Sequence, residues 1–171
     1  MPTKPFFNFI DDQATFVSTQ AAQMKTIYAP LCGADATSLK SAITASLSGD
    51  IKTDKFHYVT KPASREDLRY PVRNFFVHIK GKSTLSLAGL GFDDQATITV
   101  GQLWHSLVRS DKKSGIELSA INFIPSSNEP VELMRVTVKN VSKKTITFTP
   151  TAAVPIFGRS LANKHDHEHV T

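Results

Sequence analysis

The sequence predicts an all-β fold, an antiparallel β-sandwich. Polar and apolar residues alternate in successive segments separated by turn residues, and this alternation is typical of strands that bury one face. Helical patterns are scarce, and no internal repeat is present. The chain has 171 residues, of which 40% are hydrophobic and 20% charged. This length and composition suit one domain with a substantial core, so we expect residues 1–171 to form a single domain.

The predicted strands, in chain order, are 55–60, two strands within 73–92 around Gly81, 102–110, 115–125, 130–140 and 144–150. Residues 38–47 fit helical spacing and a strand equally well, so their structure stays open. Ser64 followed by Asp67 resembles a helix cap and predicts one or two helical turns.

Two details of the strands can also be predicted. In 115–125 the apolar positions change from the Ile116 side to the Ile121 side, and a β-bulge would produce this change. Strands 130–140 and 144–150 are predicted to form a hairpin, because the loop between them is short and polar.

Charge and cysteine content exclude several classes of protein. The net charge is +5, but the longest basic runs are Lys112-Lys113 and Lys143-Lys144, both beside turn signals, which favours a solvated surface over nucleic-acid binding. The single cysteine, Cys32, excludes an internal disulfide. The sequence contains neither a secretory h-region at its start nor a run of about 18 apolar residues, so we expect a cytoplasmic protein that does not enter the membrane.

Three histidines near the end of the chain, His165, His167 and His169, would share one face of a strand and could face one metal ion. Asp166 and Glu168 would point away, so no nearby carboxylate would complete the coordination. We therefore favour a polar strand, and expect neither a metal nor a cofactor.

Catalytic motifs are not evident in the sequence. It contains no nucleophile elbow, phosphate-binding loop, metalloprotease helix or paired-cysteine motif, and it nominates no particular pair of carboxylates for glycoside chemistry. Trp104 is the candidate for stacking on a sugar ring. Aromatic residues on sandwich strands are more often part of the core.

Several stretches resemble one known family. "NFIDDQATF", "YAPL", "SGDIKT", "SREDL", "RNFFVHIKGK", "LWHSLVRS", "GIELSAINFIP" and "VELMRVTVKN" occur in family order. They resemble the N-terminal β-sandwich of the inverting glycoside phosphorylases related to cellobiose phosphorylase, glycoside hydrolase family 94. The resemblance is greatest to the β-1,2-oligoglucan phosphorylases and extends over nearly all of the chain.

The resemblance implies a larger enzyme. In this family the sandwich is of the supersandwich type and is followed by a helical linker and a catalytic helical barrel, and we expect residues 1–171 to contain no part of that barrel. A barrel aspartate acts as the general acid while phosphate attacks the anomeric carbon, releasing α-glucose 1-phosphate with inversion. We therefore expect this chain alone to be non-catalytic. It would support the barrel and its cleft, contribute oligomer contacts, and meet β-glucan and phosphate only through the parent enzyme.

Five residues match the family near the end of the chain and are candidates for substrate binding or barrel contact: Arg159, Asn163, Asp166, His167 and His169. His165 and Glu168 stand where the family usually has arginine, which argues against a bidentate anion contact there. Leu161-Ala162 also departs from the family's usual Ala-Asp. Since family members have a larger domain, we expect the sandwich to be incomplete at its C-terminus and to self-associate through an exposed sheet edge.

Two alternatives of other classes remain open. The chain could be an independent carbohydrate-binding module that uses Trp104. It could also be a truncated copy that acts as an interaction protein, pairing with a full-length phosphorylase.

Overall fold

The computed structural model describes residues 5–24, 27–32, 39–63, 72–82, 84–89, 96–127 and 129–163. Within these residues the fold is almost entirely β, with two short 3-10 helices at Ala21–Met24 and Leu161–Asn163. The predicted all-β sandwich is confirmed, because antiparallel sheets pack against one another.

Fourteen strands are present in the described residues. They are β1 (Asn8–Phe9), β2 (Phe16–Ser18), β3 (Ala29–Cys32), β4 (Lys40–Ile43), β5 (Ile51–Lys52), β6 (His57–Tyr58), β7 (Asn74–His78), β8 (Leu85–Ser86), β9 (Thr97–Gly101), β10 (Trp104–Asp111), β11 (Ile116–Phe123), β12 (Leu133–Asn140), β13 (Thr149–Ala153) and β14 (Arg159–Ser160).

The strands form three sheets. The largest has the order β1-β2-β9-β10-β11-β12, a second has the order β14-β6-β5-β4-β3, and the smallest has the order β13-β7-β8. All pairings are antiparallel. One hydrophobic core joins the sheets, with Leu31 and Ile43 from the five-stranded sheet, Val77 from the three-stranded sheet, and Ile98 and Leu107 from the six-stranded sheet. Burial of this apolar surface is the main force holding the layers together.

Strand β11 corrects one prediction. Its pairing with β10 is continuous from Ile116 to Phe123, and buried and half-buried residues alternate without a break. The bulge predicted for this strand is therefore wrong. The apolar pattern is broken because a polar residue, Asn122, occupies an inward position, while Ile121 and Phe123 lie on the outer face.

The predicted hairpin of 130–140 with 144–150 is also wrong. Strand β12 pairs with β11, whereas β13 crosses to another sheet and pairs with β7, with Thr149 opposite His78. The tight polar turn does form, since Asn140 Nδ2 donates to the Lys144 carbonyl at 2.7 Å. Residues 145–148 then carry the chain across to β13 instead of forming a strand.

The two strands around Gly81 are confirmed as β7 and β8, which pair with each other. The open segment 38–47 contains strand β4 followed by a turn. The helical turns predicted from Ser64 lie outside the described residues.

Candidate functional site

The region around β14 contains two of the residues that the family resemblance singled out. Arg159 lies opposite Tyr58, and Ser160 lies opposite His57, so β14 pairs with β6 at the outer side of the five-stranded sheet. Asn163 follows in the short 3-10 helix and is exposed, and its Oδ1 accepts a hydrogen bond of 2.6 Å from Ser160 Oγ. Arg159 and Asn163 thus belong to one segment at the edge of the five-stranded sheet, called the edge segment below.

A small cavity of about 300 Å³ adjoins this segment. Its lining includes Thr53, His57, Tyr58, Gly158 and Ser160. Two backbone hydrogen bonds hold the residues just before β14. The N–H groups of Phe157 and Gly158 both donate to the Val59 carbonyl, at 2.8 and 3.2 Å. These bonds fix the position of β14 against β6 and form one side of the cavity.

An aspartate–histidine pair stands at the cavity rim. His57 Nδ1 and Asp54 Oδ2 lie 2.7 Å apart, and Asp54 Oδ1 accepts the backbone N–H of Phe56 at 2.7 Å. The hydrogen bond from Phe56 first, and then those from His57, lower the pKa of Asp54 to about 2. A carboxylate held ionised in this way orients the imidazole. The Ser160 hydroxyl donates to Asn163, so it does not form a nucleophile pair with His57 in this arrangement.

Exposed apolar side chains border the same segment. Ile156, three residues before β14, is 71% exposed, and Phe56, next to β6, is 52% exposed. Val154 is exposed as well. Apolar residues exposed together beside polar ones are typical of surfaces that contact another protein or domain.

Trp104, the sugar-stacking candidate, lies on the outer face of the six-stranded sheet and is half-buried. It is directly opposite Gly101 on one side and Phe123 on the other, and Phe123 is opposite Leu133. The indole lies over Gly101, where a Cβ would collide with its ring. Since directly opposed residues share a face, Trp104, Phe123 and Leu133 form an apolar row across three strands, defined here as the Trp104 row.

The other candidates cannot be placed. Asp166, His167 and His169 lie outside the described residues, as do the remaining members of the terminal motif, His165 and Glu168.

Among the residues that the structure does describe, no group of three or more histidine, cysteine, aspartate or glutamate side chains could hold a metal ion. In that same part of the chain, no helix has the length and apolar character needed to cross a membrane.

Sequence reasoning missed a buried ionic cluster between the sheets. Arg73 is 2% exposed, and its guanidinium donates to both carboxylate oxygens of Glu132, through Nε to Oε1 and through Nη2 to Oε2 at 2.8 Å. It also donates to Ser41 Oγ at 2.6 Å and to the Gly49 carbonyl at 3.3 Å. A two-bond arginine–carboxylate contact is strong and geometrically specific. This cluster holds the residue before β12 against β4 and the start of β7. No local sequence signal identifies the cluster.

His105 lies on the inner face of β10, opposite Asn122 of β11. Both side chains are buried, and their polar atoms have no hydrogen-bond partner among the described residues. Burial first, and the positive charge of Arg73 second, lower the pKa of His105 to about 4. His105 is therefore neutral near pH 7.

No family model matches the chain, and no curated protein matches it.

Proposed function

We propose that this chain is the non-catalytic N-terminal sandwich domain of an inverting phosphorylase that acts on β-1,2-oligoglucan or a related β-glucan. One observation carries the proposal: the stretches that resemble the family coincide with the main strands of an antiparallel sandwich. "RNFFVHIKGK" contains β7, "LWHSLVRS" contains nearly all of β10, and "GIELSAINFIP" contains β11. Since a family resemblance is most informative where it follows the structural elements, this agreement supports a shared domain type.

The edge segment supports a bracing role in this proposal. Arg159 lies on β14, the outer strand of the five-stranded sheet, and Asn163 lies in the 3-10 helix that follows it. The exposed side chains of Phe56 and Ile156 border this segment. Burying such apolar side chains against another domain would contribute roughly 1 to 2 kcal/mol each. We assign this segment to contact with a catalytic helical barrel, where it would border the substrate cleft.

The chemistry in this proposal belongs to the barrel. A barrel carboxylic acid would protonate the leaving oxygen while phosphate attacks from the opposite side. The sandwich would hold the cleft in shape, so β-glucan and phosphate would reach this chain only through the parent enzyme. The proposal also places the parent in the cytoplasm, since one cysteine requires no oxidising compartment.

Co-expression with a barrel partner tests the proposal. A β-1,2-oligoglucan phosphorylase deprived of its own sandwich would be produced with and without this chain, and the release of glucose 1-phosphate measured. We expect this chain to associate with the shortened phosphorylase and to restore the release of glucose 1-phosphate. Ile156→Asp should reduce both the association and the restored activity. The matched control is Ile10→Asp, at an exposed apolar residue beside β1, which should have no effect. Failure to associate, or equal loss in both variants, would overturn the proposal.

The Trp104 row favours a second candidate, an independent carbohydrate-binding module. A half-exposed indole with a neighbouring phenyl ring can stack on a sugar. Titration of the intrinsic tryptophan fluorescence with β-1,2-glucan distinguishes the two, because Trp104 is the only tryptophan in the chain. A saturable change would favour the module, and calorimetric titration of Trp104→Phe, which has no tryptophan signal, should then show weaker binding of β-1,2-glucan. An unchanged spectrum would favour the phosphorylase domain.

Strand β12 favours a third candidate, an interaction protein that pairs through a sheet edge. It is eight residues long and is the outermost strand of the six-stranded sheet in the described part of the chain. Long outer strands can recruit a further strand, from a second copy or from a full-length phosphorylase. Light scattering across a concentration series tests self-association, which a monodisperse monomer at high concentration would exclude.

A further inference from the structure

Three loops at one end of the sandwich line a half-open cavity of about 450 Å³. Five lysines line it: Lys80, Lys82, Lys112, Lys113 and Lys144. All five are exposed. They belong to three segments that are far apart in the sequence, so the cluster cannot be recognised from the basic runs alone.

The strand pairing explains why these segments meet. Lys112 and Lys113 occupy the turn between β10 and β11, and β11 pairs with β12 so that Ile116 lies opposite Asn140. The loop after β12, which carries Lys144, therefore begins beside this turn. Strand β13 then pairs with β7, and Thr149 lies opposite His78. This pairing places the segment before β13 next to the residues after β7, which include Lys80 and Lys82.

The walls of the cavity are held in place by short-range contacts. The Val141 N–H donates to the Gly115 carbonyl at 2.9 Å, joining the two loops. Gly115 has a φ of +75°, and a Cβ at this position would lie 2.6 Å from the Cβ of Ser142. Glycine therefore permits both the left-handed backbone and the close approach. These contacts fix the backbone of the loop that carries Lys112 and Lys113 against the loop that carries Lys144, which reduces the ordering that a ligand would have to impose.

The charge of this cavity is only partly balanced by nearby carboxylates. No carboxylate is within ion-pairing distance of the five ammonium groups in the described residues. Asp111 is the nearest acidic residue in the sequence, and its Oδ2 accepts the backbone N–H of Ser114 at 2.8 Å. Hydrogen bonds from Ser114 first, and the charge of Lys113 last, lower the pKa of Asp111. Five like charges around one cavity repel one another, and a polyanion would relieve this repulsion.

We propose that this lysine cavity is a binding site for a small oligophosphate anion. Its volume exceeds what one phosphate needs and falls within the range typical of small-molecule sites. Lysine ammonium groups act as point charges and suit a chain of phosphates, whereas planar bidentate recognition would require arginine. The charges line one half-open cavity instead of following a stripe along a face, which favours a compact anion over a nucleic acid. This site is independent of the proposed phosphorylase role.

Calorimetric titration of the whole chain with tripolyphosphate tests the proposal. At low salt we expect saturable binding with a Kd below about 1 mM, weakened when salt is raised because counterions screen the lysines. Lys112→Ala with Lys144→Ala should reduce the affinity at least about tenfold. The matched control is Lys52→Ala with Lys55→Ala, which removes the same charge from the five-stranded sheet and its neighbouring loop. This control should change the affinity less than about twofold.

Further probes identify the ligand. Adenosine triphosphate should bind no more tightly than tripolyphosphate if the phosphate chain is what the site recognises. Chemical shifts in amide NMR spectra should change at 80–82, 112–115 and 142–147. The proposal is overturned by no binding at millimolar tripolyphosphate, by shift changes located elsewhere, by equal losses in both double variants, or by much tighter binding of single-stranded DNA.

Discussion

Acidification should destabilise this protein through one buried imidazole. His105 is 1% exposed and lies on the core face of β10. Its pKa is lowered to about 4 from the ordinary value of 6.5. Burial is the larger cause because the charged imidazole would lose its hydration, and the Arg73 guanidinium adds repulsion.

The direction of the pH dependence follows from the pKa of His105 in the folded and unfolded states. Since the pKa of His105 is lower in the folded state than in the unfolded state, the unfolded chain binds more protons between about pH 6.5 and pH 4. The stability from keeping His105 neutral is complete above about pH 6.5 and is lost as the pH falls towards 4. A difference of about 2.5 pKa units corresponds to roughly 3 kcal/mol, with a slope approaching 1.4 kcal/mol per pH unit.

The residues around His105 do not offset this loss of stability at low pH. Asn122 lies opposite it on β11 and Val100 opposite it on β9, and neither side chain titrates. The nearby ionic groups are Arg73 and its partner Glu132, which already form a two-bond contact. No carboxylate contributes to the pKa of His105, so a proton there would gain no opposite charge from the described residues.

Urea denaturation at a series of pH values, followed by circular dichroism, measures the effect. The test compares the wild-type chain with His105→Leu, which removes the titrating group and keeps a similar volume. Other acid-sensitive groups, including Asp54, contribute to both chains and cancel in the difference. His78→Leu is the control, because His78 lies on β7 and is exposed. Parallel stability curves for the wild-type chain and His105→Leu between pH 7 and pH 4 would refute the reasoning.

Three further predictions concern stability and are measured by the same urea method. Glu132→Ala should cost about 3 to 5 kcal/mol because it leaves the Arg73 charge buried and unpaired, whereas replacing both partners with Arg73→Met and Glu132→Leu should cost much less. Equal losses of stability in Glu132→Ala and in the double variant would show that the ion pair itself supplies the stability. Gly49→Ala should destabilise the fold by more than about 2 kcal/mol, because the new Cβ would collide with the Ala42 backbone in addition to adopting a φ of +105°. Gly81→Ala, where no atom lies within 4 Å, should cost only about 1 kcal/mol of backbone strain, and similar losses at the two glycines would contradict the steric argument. Trp104→Ala should cost about 2 kcal/mol through lost packing over Gly101, and a loss near zero would indicate a ring free of the sheet.

Local patterns were sufficient to predict the all-β class and several strands. In β10 the buried residues His105 and Leu107 alternate with the half-buried Trp104 and Ser106, because side-chain direction alternates along a strand. The same rule failed at Asn122, since the interpretation assumed that inward positions are apolar. The buried amide of Asn122 was therefore interpreted as a change of the buried face from one side of the strand to the other.

Partner strands could not be predicted in the same way. The short polar turn after Asn140 favoured a hairpin, yet β13 pairs with β7, more than 70 residues earlier in the chain. Pairing at this separation depends on how the sheets bury their apolar faces together, and no local window contains that information. The same limitation concealed the contact between Arg73 and Glu132, which are 59 residues apart.

The lysine cavity depends on the strand pairing that the sequence did not reveal. Had β13 formed a hairpin with β12, the segment before β13 would have stayed in the six-stranded sheet, away from the end of β7. Lys144 would then have been separated from Lys80 and Lys82. Because β13 crosses between the sheets, residues that read as solvated surface charges in the sequence surround one cavity. A variant that weakens the pairing of β13 with β7 should therefore lose oligophosphate affinity while all five lysines remain present.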